Sequence, residues 1–134
     1  MAGDLYMVQQ GQVVPELGVD GDDRFDQSAA GVRLAARMMD WRSLTNALIL
    51  CHFQNPPLDQ VMELLAAATG WEWDAEALGR VGERIFNLKR AINHRLGMTH
   101  ADDRLPKLLM QPLAEGETGG FVPDFEAMLN AYYT

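Results

Sequence analysis

Apolar residues recur at helical spacing in four stretches of the chain, separated by short polar or proline-containing segments. The first stretch follows Ser28, a favourable N-cap residue, and must end by Asn55, because prolines disfavour helical backbone just before them. Its stripe consists of Leu34, Met38, Trp41, Leu44, Thr45 and Leu48. The pattern predicts a long first helix with one buried face.

The second stretch predicts a helix from about Pro57 to Thr69, closed by Gly70 in a left-handed cap. Its stripe consists of Leu58, Val61, Met62, Leu65 and Ala68. Both ends carry the residue types that favour them, so the pattern predicts a short amphipathic helix.

The third stretch predicts the longest helix, which begins after Asp74 as N-cap and ends at Gly97. Its seam runs at alternating three- and four-residue steps through Leu78, Val81, Ile85, Leu88, Ile92 and Leu96. Two glycines inside it, Gly79 and Gly82, each cost about 1 kcal/mol relative to alanine. We therefore expect another backbone to come close to the helix there.

The remaining chain carries weaker signals. Residues 1–26 are rich in Gly, Asp and Gln and predict an irregular lead-in. Thr99 favours one helical turn that breaks before Pro106, and residues 111–122 predict a loop. A last short helix is predicted from Asp124 to Tyr133, with Phe125, Met128, Leu129 and Tyr132 facing inward. The fold class is thus all-α, with about four main helices in a domain over residues 27–134.

Composition narrows the partners that the chain can have. The formal net charge is −8, from 19 acidic and 11 basic residues, which disfavours a nucleic-acid partner. The apolar runs are far shorter than the ~20 residues of a membrane helix, and the start lacks a secretory signal pattern. A single cysteine excludes an intrachain disulfide. We expect a cytoplasmic domain that binds neither nucleic acid nor membrane.

Few side chains in the sequence could support catalysis by themselves. The three histidines are scattered, one cysteine cannot form a CxxC site, and phosphate-loop or nucleophile-elbow motifs are absent. We therefore expect no self-contained active site. The third helix also carries a polar face, which is either a solvated surface or a polar network at an interface with another domain. That face consists of Glu83, Asn87, Arg90 and His94.

Cys51 is the only cysteine and lies in the apolar run ALILC, followed at once by His52. Taken alone, such a cysteine is usually a small buried hydrophobic residue. A zinc site built on Cys51 and His52 is a poor alternative, because adjacent ligands seldom meet one ion and further ligands are not in view.

The order of several motifs adds a different interpretation. The stretches, in order, are PELG at 15–18, DRF at 23–25, NALILCHF at 46–53, GERIFNLKRAIN at 82–93, DDRLPK at 102–107 and LNAYY at 129–133. Together they resemble the C-terminal part of the tungsten-containing aldehyde ferredoxin oxidoreductase family. The resemblance implies a helical domain that packs against a pterin-binding domain.

The resemblance also implies cofactors and site residues. Family members bind tungsten, sometimes molybdenum, through two pterins beside a 4Fe-4S cluster, oxidise aldehydes to carboxylic acids and pass electrons to ferredoxin. By position in the family pattern, Cys51 is the fourth cluster ligand and Leu50 matches the leucine before it. Asn46 stands where the pattern often has an aspartate that contacts a pterin. The implied site is therefore Asn46, Leu50 and Cys51, with no catalytic residue in this chain.

Two positions depart from that pattern. Asn46 keeps its hydrogen-bonding capacity but has no charge. Ile49 replaces a glycine, and isoleucine does not readily adopt a left-handed backbone. In a continuous helix Asn46 and Cys51 would lie about 140° apart around the axis. For both to face one cofactor edge, the helix must end or loosen near residues 49–51.

A 4Fe-4S cluster ordinarily needs four thiolates, so one cysteine cannot hold it. We therefore expect no cofactor and no enzyme activity in the isolated chain. We expect it to be a C-terminal fragment, or else a separately encoded subunit, that works with upstream pterin- and cluster-binding domains or a larger subunit. The alternative is a non-catalytic helical interaction module derived from that domain.

Overall fold

The computed structural model describes residues 14–19, 26–51, 54, 56–116 and 119–134. Within these ranges the chain contains four α-helices and no β-sheet. The helices are α1 (Ala29–Ala47), α2 (Leu58–Thr69), α3 (Ala75–Arg95) and α4 (Phe125–Tyr133). The predicted all-α class is confirmed.

The helices begin and end where capping residues predict. The Ser28 hydroxyl accepts hydrogen bonds from the Ala30 and Gly31 amides at the start of α1. The Asp74 carboxylate accepts one from the Ala77 amide, at 2.6 Å, at the start of α3. Gly70 closes α2 with φ 72, a backbone conformation that costs glycine little.

The hydrophobic core is built around α1. Met38, Trp41 and Leu44 of α1 are buried, and Trp41 is only 1% exposed. The other core side chains come from α2, α3 and the lead-in: Leu58, Val61, Leu78, Val14 and Val19. The predicted inner face of α1 is therefore the centre of the domain.

Residues 14–19 of the predicted lead-in form a closed loop that packs on this core. Val14 and Val19 exchange two backbone hydrogen bonds, at 2.7 and 3.1 Å, around a 3-10 turn at Pro15–Leu17. The Arg37 guanidinium donates to the Gly18 carbonyl oxygen at 3.3 Å, which ties the loop to α1. The sequence pattern missed this loop, because two isolated valines do not make a stripe. Residues 1–13 and 20–25 of the lead-in lie outside the described residues.

Helices α1 and α3 make a close backbone contact, which we call the crossing, at Asp40 and Gly82. A Cβ added to Gly82 would lie 2.3 Å from the carbonyl oxygen of Asp40, so only glycine fits without a shift. At Gly79 an added Cβ would meet a leucine methyl group, Cδ2 of Leu17, at 3.2 Å. The predicted close approach of another backbone is confirmed at Gly82.

The second half of α3 departs from the predicted seam. Leu78 is buried, Val81 and Ile85 are half-buried, and the last three seam residues (Leu88, Ile92 and Leu96) are exposed. The reason is that α1 and the 14–19 loop pack on the first half of α3, where the crossing lies. The described part of the chain leaves the rest of the seam uncovered.

Polar contacts hold the second half of α3 to α4, at a place we call the junction. Arg90 donates two hydrogen bonds to the Asp103 carboxylate, at 2.7 and 2.5 Å, and the Tyr133 hydroxyl donates a third at 2.6 Å. The bonds from Arg90 hold the pKa of Asp103 below its ordinary value. Thr99 caps the predicted turn, His100–Asp102, whereas the turn at Lys107–Met110 was not predicted.

Candidate functional site

The candidate site lies where α1 ends. The Ile49 amide donates to the Asn46 carbonyl oxygen at 3.1 Å, and the Leu50 amide donates to the Thr45 carbonyl oxygen at 3.0 Å. This pair of bonds is a Schellman motif, which stops a helix with a left-handed residue. The left-handed residue is Ile49, with φ 58. The predicted helix end is confirmed, and the expectation that Ile49 would avoid this backbone is wrong.

The turn sorts its side chains into an inner and an outer set. Leu48 and Leu50 pack against the core, and Thr45 is buried with its hydroxyl donating to the Arg42 carbonyl oxygen at 3.2 Å. The outer set is exposed and consists of Asn46, Ala47, Ile49 and Cys51. The turn is therefore anchored from inside and presents its other side chains to the surroundings.

Cys51 is a free, exposed thiol at the end of this turn. Its carbonyl oxygen accepts a hydrogen bond from the Gln54 amide at 3.1 Å. The interpretation of Cys51 as a buried core residue is therefore wrong. His52, the second residue of the zinc alternative, lies outside the described residues.

The donor set around Cys51 fits one ligand of a metal group and not a whole site. Among the described residues, His, Cys, Asp and Glu side chains form no group of three or more that could hold a metal ion. A thiolate is the ligand that iron–sulfur clusters take from proteins. The described part of the chain can thus offer a single exposed thiol to a metal group.

The turn at the end of α1 exposes two of the three predicted site residues. The end of α1 places Asn46 on its last turn and Cys51 just after it, and both residues are exposed. Leu50 is half-buried and packs against the core, so its side chain holds the turn in place. The sequence alone does not show that Leu50 packs inward, because this depends on the turn that places Leu48 and Leu50 against the core.

A second polar group lies at the crossing, where Asp40, which the sequence did not single out, comes near Glu83 of the predicted polar face. Burial raises the pKa of the half-buried Asp40 to about 6, and the nearby charge of Glu83 adds to this. Asp40 and Glu83 line a cleft of about 430 Å³ together with the core residue Trp41. Within the described ranges, the indole nitrogen of Trp41 has no hydrogen-bond partner. The sequence signal for this group was Asp40 itself, an acidic residue between Met38 and Trp41 of the predicted buried stripe.

Comparison with known proteins identifies the family. The family described as aldehyde ferredoxin oxidoreductase, domains 2 and 3, matches residues 5–134, which is nearly the whole chain. The chain belongs to the aldehyde ferredoxin oxidoreductase family. The stretches quoted above from the sequence lie within the matched residues, so the predicted resemblance is confirmed.

The chain is also similar to individual members of the aldehyde ferredoxin oxidoreductase family. Tungsten-containing aldehyde ferredoxin oxidoreductases from Thermococcus kodakarensis and Pyrococcus furiosus are 36% and 35% identical to the chain over 115 residues. The one from Pyrococcus horikoshii is 33% identical. Each alignment covers 83% of this chain but only 19% of the relative. No solved structure matches the chain.

The chain therefore spans about a fifth of the length of the curated relatives that it matches. Among the described residues, no helix is long and apolar enough to cross a membrane. Thirteen large apolar side chains are exposed in the described part, against nine buried ones. The exposed ones include Leu88, Ile92 and Leu96 on the seam of α3, and an exposed apolar patch of this kind marks an interaction surface.

Proposed function

We propose that this chain is the C-terminal helical part of a tungsten- or molybdenum-containing aldehyde oxidoreductase and provides one ligand, Cys51, to its 4Fe-4S cluster. The observation that carries the proposal is the exposed Cys51 thiol on a turn whose inner residues are anchored in the core. The family relation supports the proposal, because tungsten-containing aldehyde ferredoxin oxidoreductases match most of this chain. The remaining three thiolates come from the rest of the enzyme, because this chain has one cysteine.

In the complete enzyme an aldehyde and water would give a carboxylic acid, two protons and two electrons, which is the chemistry that the metal–pterin centre supplies when bound. The electrons would leave to ferredoxin through the cluster. This chain holds Cys51 in place through Leu48 and Leu50, which pack against the core beside it. Asn46 would contact a pterin through its amide, which can both donate and accept hydrogen bonds.

The alternative is a helical interaction module without a cluster. The exposed apolar side chains of α3 suit that role as well as they suit an interdomain surface. The two differ in the upstream coding sequence, where a pterin domain and a CxxCxxxC segment favour the enzyme. They also differ in whether the complete protein needs Cys51 to bind its full complement of iron.

The test is Cys51→Ser in the complete enzyme, with iron counted and the reduced cluster observed by electron paramagnetic resonance. We expect loss of a normal four-iron centre, since a serine oxygen is a poor substitute for a thiolate. The matched control is Ala47→Ser, which adds a hydroxyl to an exposed position of the same turn and should leave the iron content unchanged. A normally reducible 4Fe-4S centre in Cys51→Ser would refute the ligand role.

A further inference from the structure

Ile49 is the only residue other than glycine with a positive φ in the described part of the chain. The other positive φ values belong to Gly18, Gly70, Gly97, Gly116 and Gly120. A β-branched residue in this region is an outlier, because its side chain crowds the backbone. Glycine at position 49 would close α1 without that strain.

The fold of this chain makes little use of the Ile49 side chain. The side chain is 91% exposed, and the two hydrogen bonds that end α1 use backbone atoms only. The apolar packing of the turn comes from Leu48 and Leu50. The strain at Ile49 is therefore not offset by a contact within the described residues, which points to a contact made outside them.

We propose that Ile49 is an interface residue: its side chain packs into an apolar recess on the cluster-bearing part of the aldehyde ferredoxin oxidoreductase and so fixes the turn that carries Cys51. The inference rests on the proposed function. Two observations select this partner over a second copy of the chain. Cys51 is exposed two residues further on in the same turn, and four fifths of each relative lies outside the matched region.

The chemistry of the contact follows from the side chain. An isoleucine gains free energy only where its partner excludes water, so the recess is apolar. A contact two residues before the thiolate restricts the backbone that positions it. We therefore expect substitution at Ile49 to loosen residues 46–51 in the complete enzyme and leave the core of this domain intact.

The first experiment measures the strain in the 134-residue chain by urea denaturation. Ile49→Gly should raise the unfolding midpoint, with a folding equilibrium constant roughly tenfold larger. Gly70→Ile is the matched control, because Gly70 has φ 72 at the end of α2 and open space for a side chain. That variant should lower the midpoint by a similar amount. A lower midpoint for Ile49→Gly would make Ile49 a residue of the fold and overturn the proposal.

The second experiment measures the contact in the complete enzyme by amide hydrogen exchange over residues 46–51. Exchange should be slower there than in the 134-residue chain, and Ile49→Ala, which keeps a Cβ at the left-handed position, should speed it by roughly tenfold. Leu64→Ala is the control, since Leu64 is also exposed, at 60%, but lies on α2. It should leave the exchange of these residues unchanged.

The outcomes separate this inference from the ligand role of Cys51. Unchanged exchange over residues 46–51 in Ile49→Ala refutes the interface, whatever the iron content of Cys51→Ser. Self-association of the isolated chain that Ile49→Ala abolishes, without any effect in the complete enzyme, assigns the contact to a second copy and also refutes it. Normal iron in Cys51→Ser together with faster exchange in Ile49→Ala retains the interface and removes the ligand.

Discussion

The crossing and the junction hold the same helix, α3, by different forces. At the crossing Gly82 lies against the Asp40 backbone, and Leu78 and Trp41 are buried nearby in one core. At the junction α3 is tied to α4 by the charged and hydroxyl contacts of Asp103. A regular apolar seam therefore does not decide by itself which part of a helix is buried. The buried part is the one on which other elements of the fold pack.

The two regions also give aspartate opposite properties. Asp40 at the crossing loses solvent and lies near Glu83, which raises its pKa to about 6. Asp103 at the junction accepts hydrogen bonds from Arg90 and Tyr133, which lowers its pKa. Burial raises the pKa of Tyr132 in α4, and the nearby charge of Asp40 adds to this, while the next residue, Tyr133, donates a hydrogen bond to Asp103.

The largest expected effect is at the core of the crossing. Trp41→Ala should lower the free energy of unfolding by about 3–5 kcal/mol, because it removes a fully buried aromatic side chain and leaves a cavity. Chemical denaturation of the 134-residue chain followed by far-ultraviolet circular dichroism measures it. Trp71→Ala is the control, since Trp71 is 65% exposed and should cost about 1 kcal/mol or less. Equal costs for the two variants would contradict the burial of Trp41.

The next effect tests the backbone contact. Gly82→Ala should destabilise the chain by about 1–3 kcal/mol, because its Cβ would overlap the Asp40 carbonyl oxygen and force the helices apart. Gly79→Ala is matched in helix and substitution, but its Cβ meets only a leucine methyl group. It should be neutral or stabilising by up to about 1 kcal/mol from helix propensity. Thermal unfolding of the two variants, measured side by side, should show a lower Tm for Gly82→Ala and an unchanged or higher Tm for Gly79→Ala.

Local sequence patterns were sufficient to predict where the four helices lie. Ser28, Asp74 and Gly70 act through neighbours a few residues away, so their effects are visible in sequence. The end of α1 was predicted from the geometry that Asn46 and Cys51 require. The left-handed Ile49 was not, because isoleucine disfavours that backbone and only the surrounding bonds and packing impose it.

Contacts between residues far apart in the chain could not be predicted from local sequence patterns. The pairing of Arg90 with Asp103 and Tyr133 depends on how the chain returns after Gly97, which no spacing rule specifies. Val14 and Val19 join the core through a loop whose hydrophobic residues are too few to form a pattern. The exposure of the second half of the α3 seam depends on neighbours that the described part of the chain does not provide.

The smallest effect is the pH dependence that separates the two aspartates. The folded-state pKa of Asp40 is raised to about 6, above the ordinary 3.8 of an unfolded chain, so its contribution to stability is lost as pH rises from about 4 to 6. Asp40→Asn should therefore match wild type near pH 4. At pH 7 it should be more stable by about 1 kcal/mol, since a half-buried carboxylate keeps part of its solvation. Urea denaturation across this pH range measures the difference.

Asp103→Asn provides the contrasting case, because its pKa is lowered and the sign reverses. The stabilisation from Asp103 is present above its unfolded pKa and is lost as pH falls through the lower folded value. Asp103→Asn should therefore destabilise the chain at pH 7, and the loss should shrink below about pH 4. If both variants changed stability in the same direction at pH 7, the Asp40 and Asp103 carboxylates would affect folding with the same sign. The crossing would then hold a paired carboxylate instead of a desolvated one.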